Sequence, residues 1–403
     1  MNILFLSELF YPHGSGGELA TYLYAKLLSE AGINVIVITN RFAGEPDVSK
    51  NGKLRVHRLP LFKRGGSIKY SILQRFDILF LSFMRKMFRW ADVVYVPRFW
   101  YSAIPLAKAY GKPVLVHLHD YISICPLSTI YNVSENAVCN HNGLLCPLKC
   151  IYAYERIQDR GFTETIASVA LNSTIGRYLG KFVKFSDAVI CVSEAQRGVI
   201  IKGEPSLRYK THVIYNPLPE LSYIEMEGDD FGYFGGPNAL KGFHILRKAL
   251  TYIGNHGEVK VHATNFSNPA MAQYKILGPL GIIPYGRLSQ GPCEMLYKKI
   301  RAVIVPSVWP ETFSYVSIEA IFRGRLLIAS KIGGIPEITK GCDAALLFEA
   351  GNHRELAEKL EYVSGLSREV ASDMAVRSRE VFAKKFSNER TIRDFTSVCS
   401  GLA

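Results

Sequence analysis

Long hydrophobic runs are absent from this 403-residue chain. None approaches the roughly 18–20 residues that a helix needs to cross a bilayer, so we expect no membrane-spanning helix. The opening segment "MNILFLSELF" carries Glu8 and lacks a basic leader, which predicts a first β-strand rather than a signal peptide. From these absences we expect a cytoplasmic protein with reduced cysteines. The positive net charge and the basic, aromatic segment 62–90 add the expectation of peripheral contact with the inner face of the cell membrane.

Acidic residues are comparatively few, since 35 Asp and Glu stand against 48 Lys and Arg and leave a net charge of +13. An anionic partner is therefore favoured, and nucleic acid, phospholipid headgroups and phosphate-bearing small molecules all qualify. No cluster of basic and aromatic residues like those of known nucleic-acid modules is present. This absence weighs against a non-enzymatic nucleic-acid binder.

The glycine fingerprint of dinucleotide-binding proteins is also missing. The segment "HGSGGE" that follows the first predicted strand is not G-x-G-x-x-G, and Asn40 stands where such a fold would place an acid for the ribose. A dehydrogenase is therefore disfavoured. The pair Gly16-Gly17 at a helix start still allows the backbone to approach a phosphate closely, although the same glycines can simply form a turn.

The pattern that is present is an alternation of short apolar runs with helical segments. "NILFLS", "INVIVIT", "DVVYVP", "KPVLVHLH", "DAVICVS" and "THVIYN" read as strands before the break at "NPLP", and six further strand candidates follow it, ending with "AALLFE". Such alternation predicts parallel sheets covered by helices. We expect a first domain over 1–217, a second domain over 218–383, and a terminal helix near 384–403 that packs back on the first domain.

The segment 62–90 interrupts this alternation because it mixes Lys and Arg with large apolar residues. Two interpretations fit it. One is a helix lying at a membrane surface, and the other is a helical hairpin buried in the first domain.

Two carboxylates lie eight positions apart in "VPSVWPETFSYVSIEAIFRG". Glu311 follows a strand, and Glu319 lies within an apolar, helix-like run. The carboxyl edge of a parallel sheet binds ligands in such folds, and a helix start near Ser314 offers N–H groups to an anion. Carboxylates accept hydrogen bonds from sugar hydroxyls. The spacing favours a phosphorylated, hydroxyl-rich ligand, whereas a surface glutamate and an ion-paired helical glutamate would give the same pattern.

This stretch, continued by "LLIASKIGGIPEI", resembles the glutamate-x7-glutamate signature of family 4 glycosyltransferases, and the resemblance extends over the whole chain. It implies the GT-B fold, in which two Rossmann-like, doubly wound α/β domains face each other across the cleft that holds the active site. It also implies that the domain over 1–217 binds the acceptor and that the domain over 218–383 binds the nucleotide-sugar donor. It further implies that Glu319 holds the ribose of a nucleotide and that Glu311 faces the hydroxyls of the transferred sugar. Backbone N–H groups near 313–316 would meet sugar and phosphate.

The segment "FGGPNALKGFHIL" resembles the phosphate-binding segment of the same family, with Lys241 as the cation for the diphosphate. Many members carry an arginine where this chain has Gly236, so Arg247 or Arg287 would have to compensate. The predicted catalytic residues are His119, Glu311 and Lys241. The predicted donor-binding set is Gly16, Gly17, Lys241, Arg287, Glu311, Thr312, Phe313, Ser314, Tyr315, Val316 and Glu319.

The first domain contributes "VHLHDY", which places His117 and His119 on one side of a strand end. Two imidazoles without a third ligand make a poor zinc site, and a hydrogen-bonded structural histidine is the commoner arrangement. The resemblance implies that His119 contacts the sugar and that the Gly16-Gly17 loop closes against the diphosphate. Because exposed aromatic rings stack on sugars, the acceptor candidates are His13, Arg98, Phe99, Trp100 and Tyr121.

Four cysteines, Cys125, Cys139, Cys146 and Cys150, lie within 26 residues. Their spacing matches no standard zinc finger. They could hold a structural zinc or pair under oxidising conditions. We expect no metal or other cofactor to be required for the chemistry.

The resulting hypothesis is a retaining glycosyltransferase of glycan biosynthesis that moves a hexose from a nucleotide-diphosphate sugar, UDP-glucose by default, to a hydroxyl of a lipid-linked glycan. No residue stands out as a covalent nucleophile, and the family resemblance implies a front-face reaction in which the leaving phosphate oxygen helps to deprotonate the acceptor. The alternatives are a GT-B nucleotide-sugar epimerase and a non-enzymatic protein that binds anions or nucleic acid.

Overall fold

The computed structural model describes residues 1–61, 81–98, 100–139, 148–157, 161–174, 178–253, 259–267 and 281–403. The chain divides into two compact units, Met1–Pro219 together with Ser387–Ala403, and Glu220–Phe386. The first unit therefore ends two residues later than the expected 217, and the chain returns to it three residues later than the expected 384.

The first unit is built on an eight-stranded sheet. Its central strands are buried apolar runs, as expected where helices cover both faces of a parallel sheet, whereas the edge strand Val48–Asn51 is polar and largely exposed. The described strands of this unit are β1 (Asn2–Leu6), β2 (Asn34–Asn40), β3 (Val48–Asn51), β4 (Leu54–Leu59), β5 (Val93–Val96), β6 (Val114–Leu118), β7 (Tyr131–Asn132), β8 (Ala137–Val138), β9 (Ala188–Cys191) and β10 (Thr211–Val213). The sheet order is β10-β9-β6-β5-β1-β2-β4-β3, in which only the β3–β4 pair is antiparallel, and β7 and β8 form a separate ribbon.

The helices of this unit up to Pro219 begin with α1, which carries a capping box at its start. Ser15 is the N-cap, and the Glu18 side chain accepts a hydrogen bond from the Ser15 backbone N–H at 2.7 Å. The described α-helices are α1 (Gly16–Glu30), α2 (Ser82–Trp90), α3 (Ala103–Ala109), α4 (Leu148–Arg156), α5 (Phe162–Ser173) and α6 (Glu194–Gly203). In the described part of this unit, 3₁₀ turns accompany them at Trp100–Ser102, Gly180–Phe185 and Pro205–Lys210.

The second unit has a six-stranded, fully parallel sheet in the order β13-β12-β11-β14-β15-β16. All six carboxyl ends therefore lie at one edge of the sheet. The strands are β11 (Asp230–Tyr233), β12 (Val261–Ala263), β13 (Ile282–Pro284), β14 (Ile300–Val305), β15 (Leu326–Ser330) and β16 (Ala345–Phe348). The described helices are α7 (Phe243–Ile253), α8 (Gln290–Lys299), α9 (Tyr315–Phe322), α10 (Ile335–Ile338), α11 (His353–Gly365) and α12 (Arg368–Lys385).

The last helix, α13 (Asn388–Ser400), belongs to the first unit. Phe395 and Cys399 are fully buried in the core that also holds Tyr24 and Tyr95, and the rings of Tyr24 and Phe395 lie 4.8 Å apart. A terminal helix packed on the first unit accordingly extends its hydrophobic core.

The predicted strands are confirmed in both units, and the β3–β4 hairpin and the β7–β8 ribbon were not predicted.

Of the basic segment 62–90, residues 62–80 lie outside the described ranges. The remainder contains α2, which buries Met84 and Phe88 against the first unit and exposes Arg85, Lys86 and Arg89. None of the helices in the described ranges is both long enough and apolar enough to span a bilayer.

Candidate active site

The first group of candidate residues lies at the carboxyl edge of the second sheet. Strand β14 ends at Val305, and the loop that follows reaches Ser314, the N-cap of α9. The Ser314 hydroxyl accepts a hydrogen bond from the Ser317 backbone N–H at 3.3 Å, which fixes the helix start. Of the other predicted donor residues on this stretch, Thr312 and Phe313 are buried and Tyr315 and Val316 are half-buried.

The Glu311 carboxylate is almost completely buried and receives three donors on one oxygen. Lys241 Nζ lies 2.7 Å from Oε1, Ser307 Oγ donates at 2.6 Å, and Trp309 Nε1 donates at 3.2 Å. The Lys241 ammonium also lies 5.3 Å from the centre of the Trp309 ring. These three donors hold the carboxylate firmly at Oε1.

Glu319 lies on α9 and has a different environment. Its Oε1 accepts a hydrogen bond from Arg323 Nε at 2.8 Å, one turn along the helix, and its side chain is 31% exposed. The Arg323 guanidinium stacks over Tyr297 at 5.0 Å. The two glutamates therefore stand on either side of the α9 start, each oriented by its own cation.

Two glycines fix the backbone around these side chains. Gly242 has φ +74°, and a Cβ there would lie 1.7 Å from the Pro306 carbonyl oxygen. Gly333 has φ +57°, and its Cβ would lie 2.3 Å from the Glu311 carbonyl oxygen, which also accepts a hydrogen bond from the Gly334 N–H at 2.7 Å. Only glycine fits either position, so the Lys241 loop and the "IGGI" loop both pack directly on the Glu311 segment.

Gly236, where the family resemblance implies an arginine, follows β11 with φ +63°. A Cβ there would lie 2.9 Å from the Asn265 carbonyl oxygen, and the Tyr233 hydroxyl donates to the Gly236 carbonyl at 2.9 Å. The local backbone therefore requires glycine in this chain.

Arg287 is exposed and follows Gly286, whose carbonyl accepts the Asn265 N–H at 3.2 Å. In the described structure Arg287 has no ion pair, whereas Arg247 lies on α7 with its Nε buried and unpartnered by described groups.

The second group lies at the carboxyl edge of the first sheet, where Arg98 is surrounded by acids. Its guanidinium is 2.5 Å from Glu18, 3.6 Å from Glu8 and 3.8 Å from Asp120. Gly17 packs against this group, since a Cβ there would lie 3.3 Å from both Arg98 Nη1 and the Cβ of His119. The structure therefore brings Gly17, Arg98 and His119 together.

His117 and His119 face the same side and stack at 4.2 Å, as the strand alternation predicted. Nδ1 of His117 is hydrogen-bonded to the Tyr95 hydroxyl at 2.7 Å. Burial, together with the nearby Arg98, lowers the pKa of His119 to about 3. His119 is consequently a neutral imidazole near pH 7 and can offer a hydrogen bond to a sugar rather than a positive charge.

The aromatic acceptor candidates do not form the expected surface. Trp100 and Tyr121 are 2% and 0% exposed, so the prediction that they are exposed is wrong, because both pack into the core of the first unit. His13 stacks on Phe42 at 3.9 Å. Arg98 is held by the three carboxylates, and Phe99 lies outside the described ranges.

Of the four clustered cysteines, Cys146 lies outside the described ranges. Cys125 and Cys150 are buried, and Cys150 Sγ lies 4.0 Å from the Tyr131 carbonyl oxygen. No group of three or more His, Cys, Asp or Glu in the part of the chain that is described could hold a metal ion. The structural zinc stays a prediction.

Sequence reasoning missed Glu8, Glu18, Ser307, Trp309 and Gly333. Glu18 directly follows the glycine pair and stands three residues after Ser15, so the capping pattern could have marked it. Nothing local identifies Glu8 as a partner of Arg98, because 90 residues separate them.

Comparison with known families matches both units. The model for Glycosyltransferase Family 4 matches residues 14–219, about half of the chain, and the model for Glycosyl transferases group 1 matches residues 228–364. The chain belongs to glycosyltransferase family 4. This glycosyltransferase is 30% identical to an uncharacterised glycosyltransferase of Methanocaldococcus jannaschii over 71% of its own length and 84% of that relative.

Solved structures show that the transferase has the GT-B fold. Sucrose-phosphate synthase from Thermosynechococcus elongatus matches with a TM-score of 0.72 and 14% identity, over 100% of this chain and 98% of that one. Anabaena HepE, solved in complex with UDP-glucose, matches with a TM-score of 0.64 and 17% identity over the whole of both chains. The transferase therefore moves a sugar from a nucleotide sugar to an acceptor, and its family favours this activity over the epimerase and the non-enzymatic anion binder.

Proposed function

We propose that this enzyme is a retaining hexosyltransferase that uses a UDP-sugar, UDP-glucose in the first instance, and a hydroxyl of a lipid-linked glycan as acceptor. The observation that carries the donor assignment is the pair Glu311 and Glu319 on either side of the α9 start, with Lys241 at 2.7 Å from Glu311. A cation beside a helix start suits a diphosphate, and a carboxylate on each side of that helix start suits a sugar ring on each side.

In the proposed reaction the bond between the anomeric carbon and the β-phosphate oxygen breaks while the acceptor oxygen bonds to the same face of that carbon. The acceptor proton passes to the leaving phosphate oxygen. Lys241, the α9 start and the Gly16-Gly17 amides stabilise the charge that develops on the diphosphate, which is where fixed dipoles and cations contribute most. His119 and Glu311 orient the hydroxyls of the hexose. No metal or other cofactor is assigned a step.

The donor is tested by thermal shift with UDP, GDP, ADP, their glucose conjugates and NAD. UDP-glucose at 100 times its dissociation constant should stabilise the wild type by about 2.7 kcal/mol, and Glu319→Ala should lose this shift because the ribose loses its carboxylate. A shift with GDP-glucose or ADP-glucose alone would replace the uridine assignment. A response only to NAD would contradict the donor assignment altogether.

The acceptor proposal is supported by charge. Helix α2 presents Arg85, Lys86 and Arg89 on its exposed face and contains no acidic residue, in a chain of net charge +13. Each basic residue near an anionic bilayer contributes about 1 kcal/mol, so an acceptor carried by a membrane lipid would lie at a surface that attracts the enzyme.

Charge reversal on α2 tests this contact. The triple variant Arg85→Glu, Lys86→Glu, Arg89→Glu should bind vesicles containing anionic phospholipid more weakly than the wild type by at least about a hundredfold, the loss expected from removing the three positive charges alone. Vesicles of neutral lipid and a series of salt concentrations provide the controls. Equal binding by both proteins would exclude α2 as the contact, and unchanged transfer to a water-soluble glycan would show that the variant is folded.

A further inference from the structure

Glu8 is a buried carboxyl group that the reaction scheme does not use. It follows β1, has no exposed surface, and neither of its oxygens has a hydrogen-bond partner among the described residues. A buried carboxylate without partners is costly, so it is normally paired or protonated. The nearest cation is Arg98, whose Nε lies 3.6 Å away.

Arg98 connects Glu8 to the glycine loop. Its Nη1 contacts Glu18 Oε1 at 2.5 Å, while Glu18 Oε2 accepts the Ser15 N–H at 2.7 Å. The Glu18 side chain thus touches Arg98 with one oxygen and the start of α1 with the other. Burial alone would raise the pKa of Glu18, but Arg98 and the hydrogen bonds from Ser15 outweigh it and leave this pKa below its ordinary value.

The loop lies directly on this pair. Gly14 has φ +98°, and a Cβ there would lie 2.4 Å from the Glu18 side chain. A Cβ on Gly17 would lie 3.3 Å from Arg98 Nη1. The backbone from Gly14 to Gly17 therefore packs directly against the side chains of Glu18 and Arg98. If the Arg98 guanidinium moved, the loop backbone would have to move with it.

We propose that Arg98, which pairs with Glu18 and lies near Asp120, is the positioning residue of the Gly16-Gly17 loop and that it thereby sets the affinity for the donor diphosphate. This inference rests on the proposed function, because it takes the donor to be a nucleotide-diphosphate sugar that meets the loop amides. Arg98 acts through Glu18 and Gly17 and does not itself touch the donor.

The charge of the group gives the proposal a pH signature. The groups that face Glu8 are Arg98, Glu18, Asp120 and Tyr101. Burial raises the pKa of Glu8 to about 7, with Arg98 opposing and the two acids adding to the rise. Above that pH Glu8 is ionised, and the net charge of Arg98, Glu8, Glu18 and Asp120 changes from −1 to −2. Because the donor diphosphate that meets the neighbouring loop is also negative, the KM for the donor should rise as the pH passes 7.

The experiment measures kcat and KM for UDP-glucose from pH 6 to pH 8.5, with UDP binding and thermal unfolding as companions. Arg98→Met should raise KM about tenfold to a hundredfold, the loss expected when a binding group is displaced, and Arg98→Lys should recover part of it. Glu8→Gln, which is neutral at every pH, should abolish the rise in KM above pH 7. Arg55→Met, at an exposed position on β4, is the matched control.

A purely structural role would lower the melting temperature of the Arg98 variants without changing KM, and that result would overturn the inference. If Arg98→Met does not fold, the KM values of Arg98→Lys and Glu8→Gln test the inference instead. A dependence of KM on pH that is the same in Glu8→Gln as in the wild type would also overturn it. Failure of wild-type enzyme to bind any nucleotide sugar would instead contradict the proposed function itself.

Discussion

Glu311→Gln should lower kcat about a hundredfold while changing the dissociation constant of UDP less than threefold, the loss typical of removing one group that acts in the transition state. Three donors, from Lys241, Ser307 and Trp309, meet Oε1 of this carboxylate. The amide removes the negative charge opposite Lys241 and replaces one acceptor oxygen by a donor, so the sugar is no longer oriented. Initial rates and UDP titration measure the two effects separately.

The companion variant Glu319→Ala should show the opposite pattern: the dissociation constant of UDP should rise strongly, and kcat at saturating donor should change less. Glu349→Gln is the control, because Glu349 also pairs with a lysine, Lys331 at 3.2 Å, but in solvent. Equal loss of UDP binding in the two active-site variants would contradict the separate roles of Glu311 and Glu319.

Gly242→Ala should lower the free energy of unfolding by about 4 kcal/mol or more, an effect at the upper end for single substitutions. Two penalties combine here. The residue has φ +74°, and the new methyl would lie 1.7 Å from the Pro306 carbonyl oxygen. Relief requires the Lys241 loop to leave the β14 end, which breaks the hydrogen bond from the Val308 N–H to the Leu240 carbonyl at 3.0 Å. UDP-glucose binding should be lost with it.

Gly351→Ala separates the two penalties. Gly351 has φ +84°, but nothing lies within 4 Å of its added Cβ, so only the backbone cost of about 1–2 kcal/mol applies. Urea unfolding of both variants measures the difference. Similar losses at the two positions would show that the contact with Pro306 is relieved at little cost.

The placement of Glu311 and Glu319 around a helix start was largely predictable because its signal is local. The alternation of strand and helix is recorded in short apolar runs, and the spacing of Glu311 and Glu319 places one carboxylate before a helix start and the other within the helix. What the sequence did not reveal is how Glu311 is held. Trp309 and Ser307 lie two and four residues away, yet their side-chain directions depend on the turn that Gly333 and Gly334 support.

The environment of Gly236 illustrates the same limit. The sequence shows only that an arginine common in the family is absent. The structure adds the reason, since the backbone there is left-handed and lies against Asn265 on the neighbouring strand end. Whether Arg287 supplies the missing charge stays a prediction that the donor titration of an Arg287→Met variant would address.

By itself, the sequence determined the class of fold, the strands of both sheets other than the β3–β4 hairpin, and the positions of the two glutamates, because these follow from periodicity and spacing within one segment. Only the tertiary structure decided that Trp100 and Tyr121 are buried and that Glu8, Arg98 and Asp120 meet. The physical reason is strand order. Strand β5 pairs with both β1 and β6, so three strand ends far apart in the chain share one sheet edge, where a single guanidinium attracts their carboxylates.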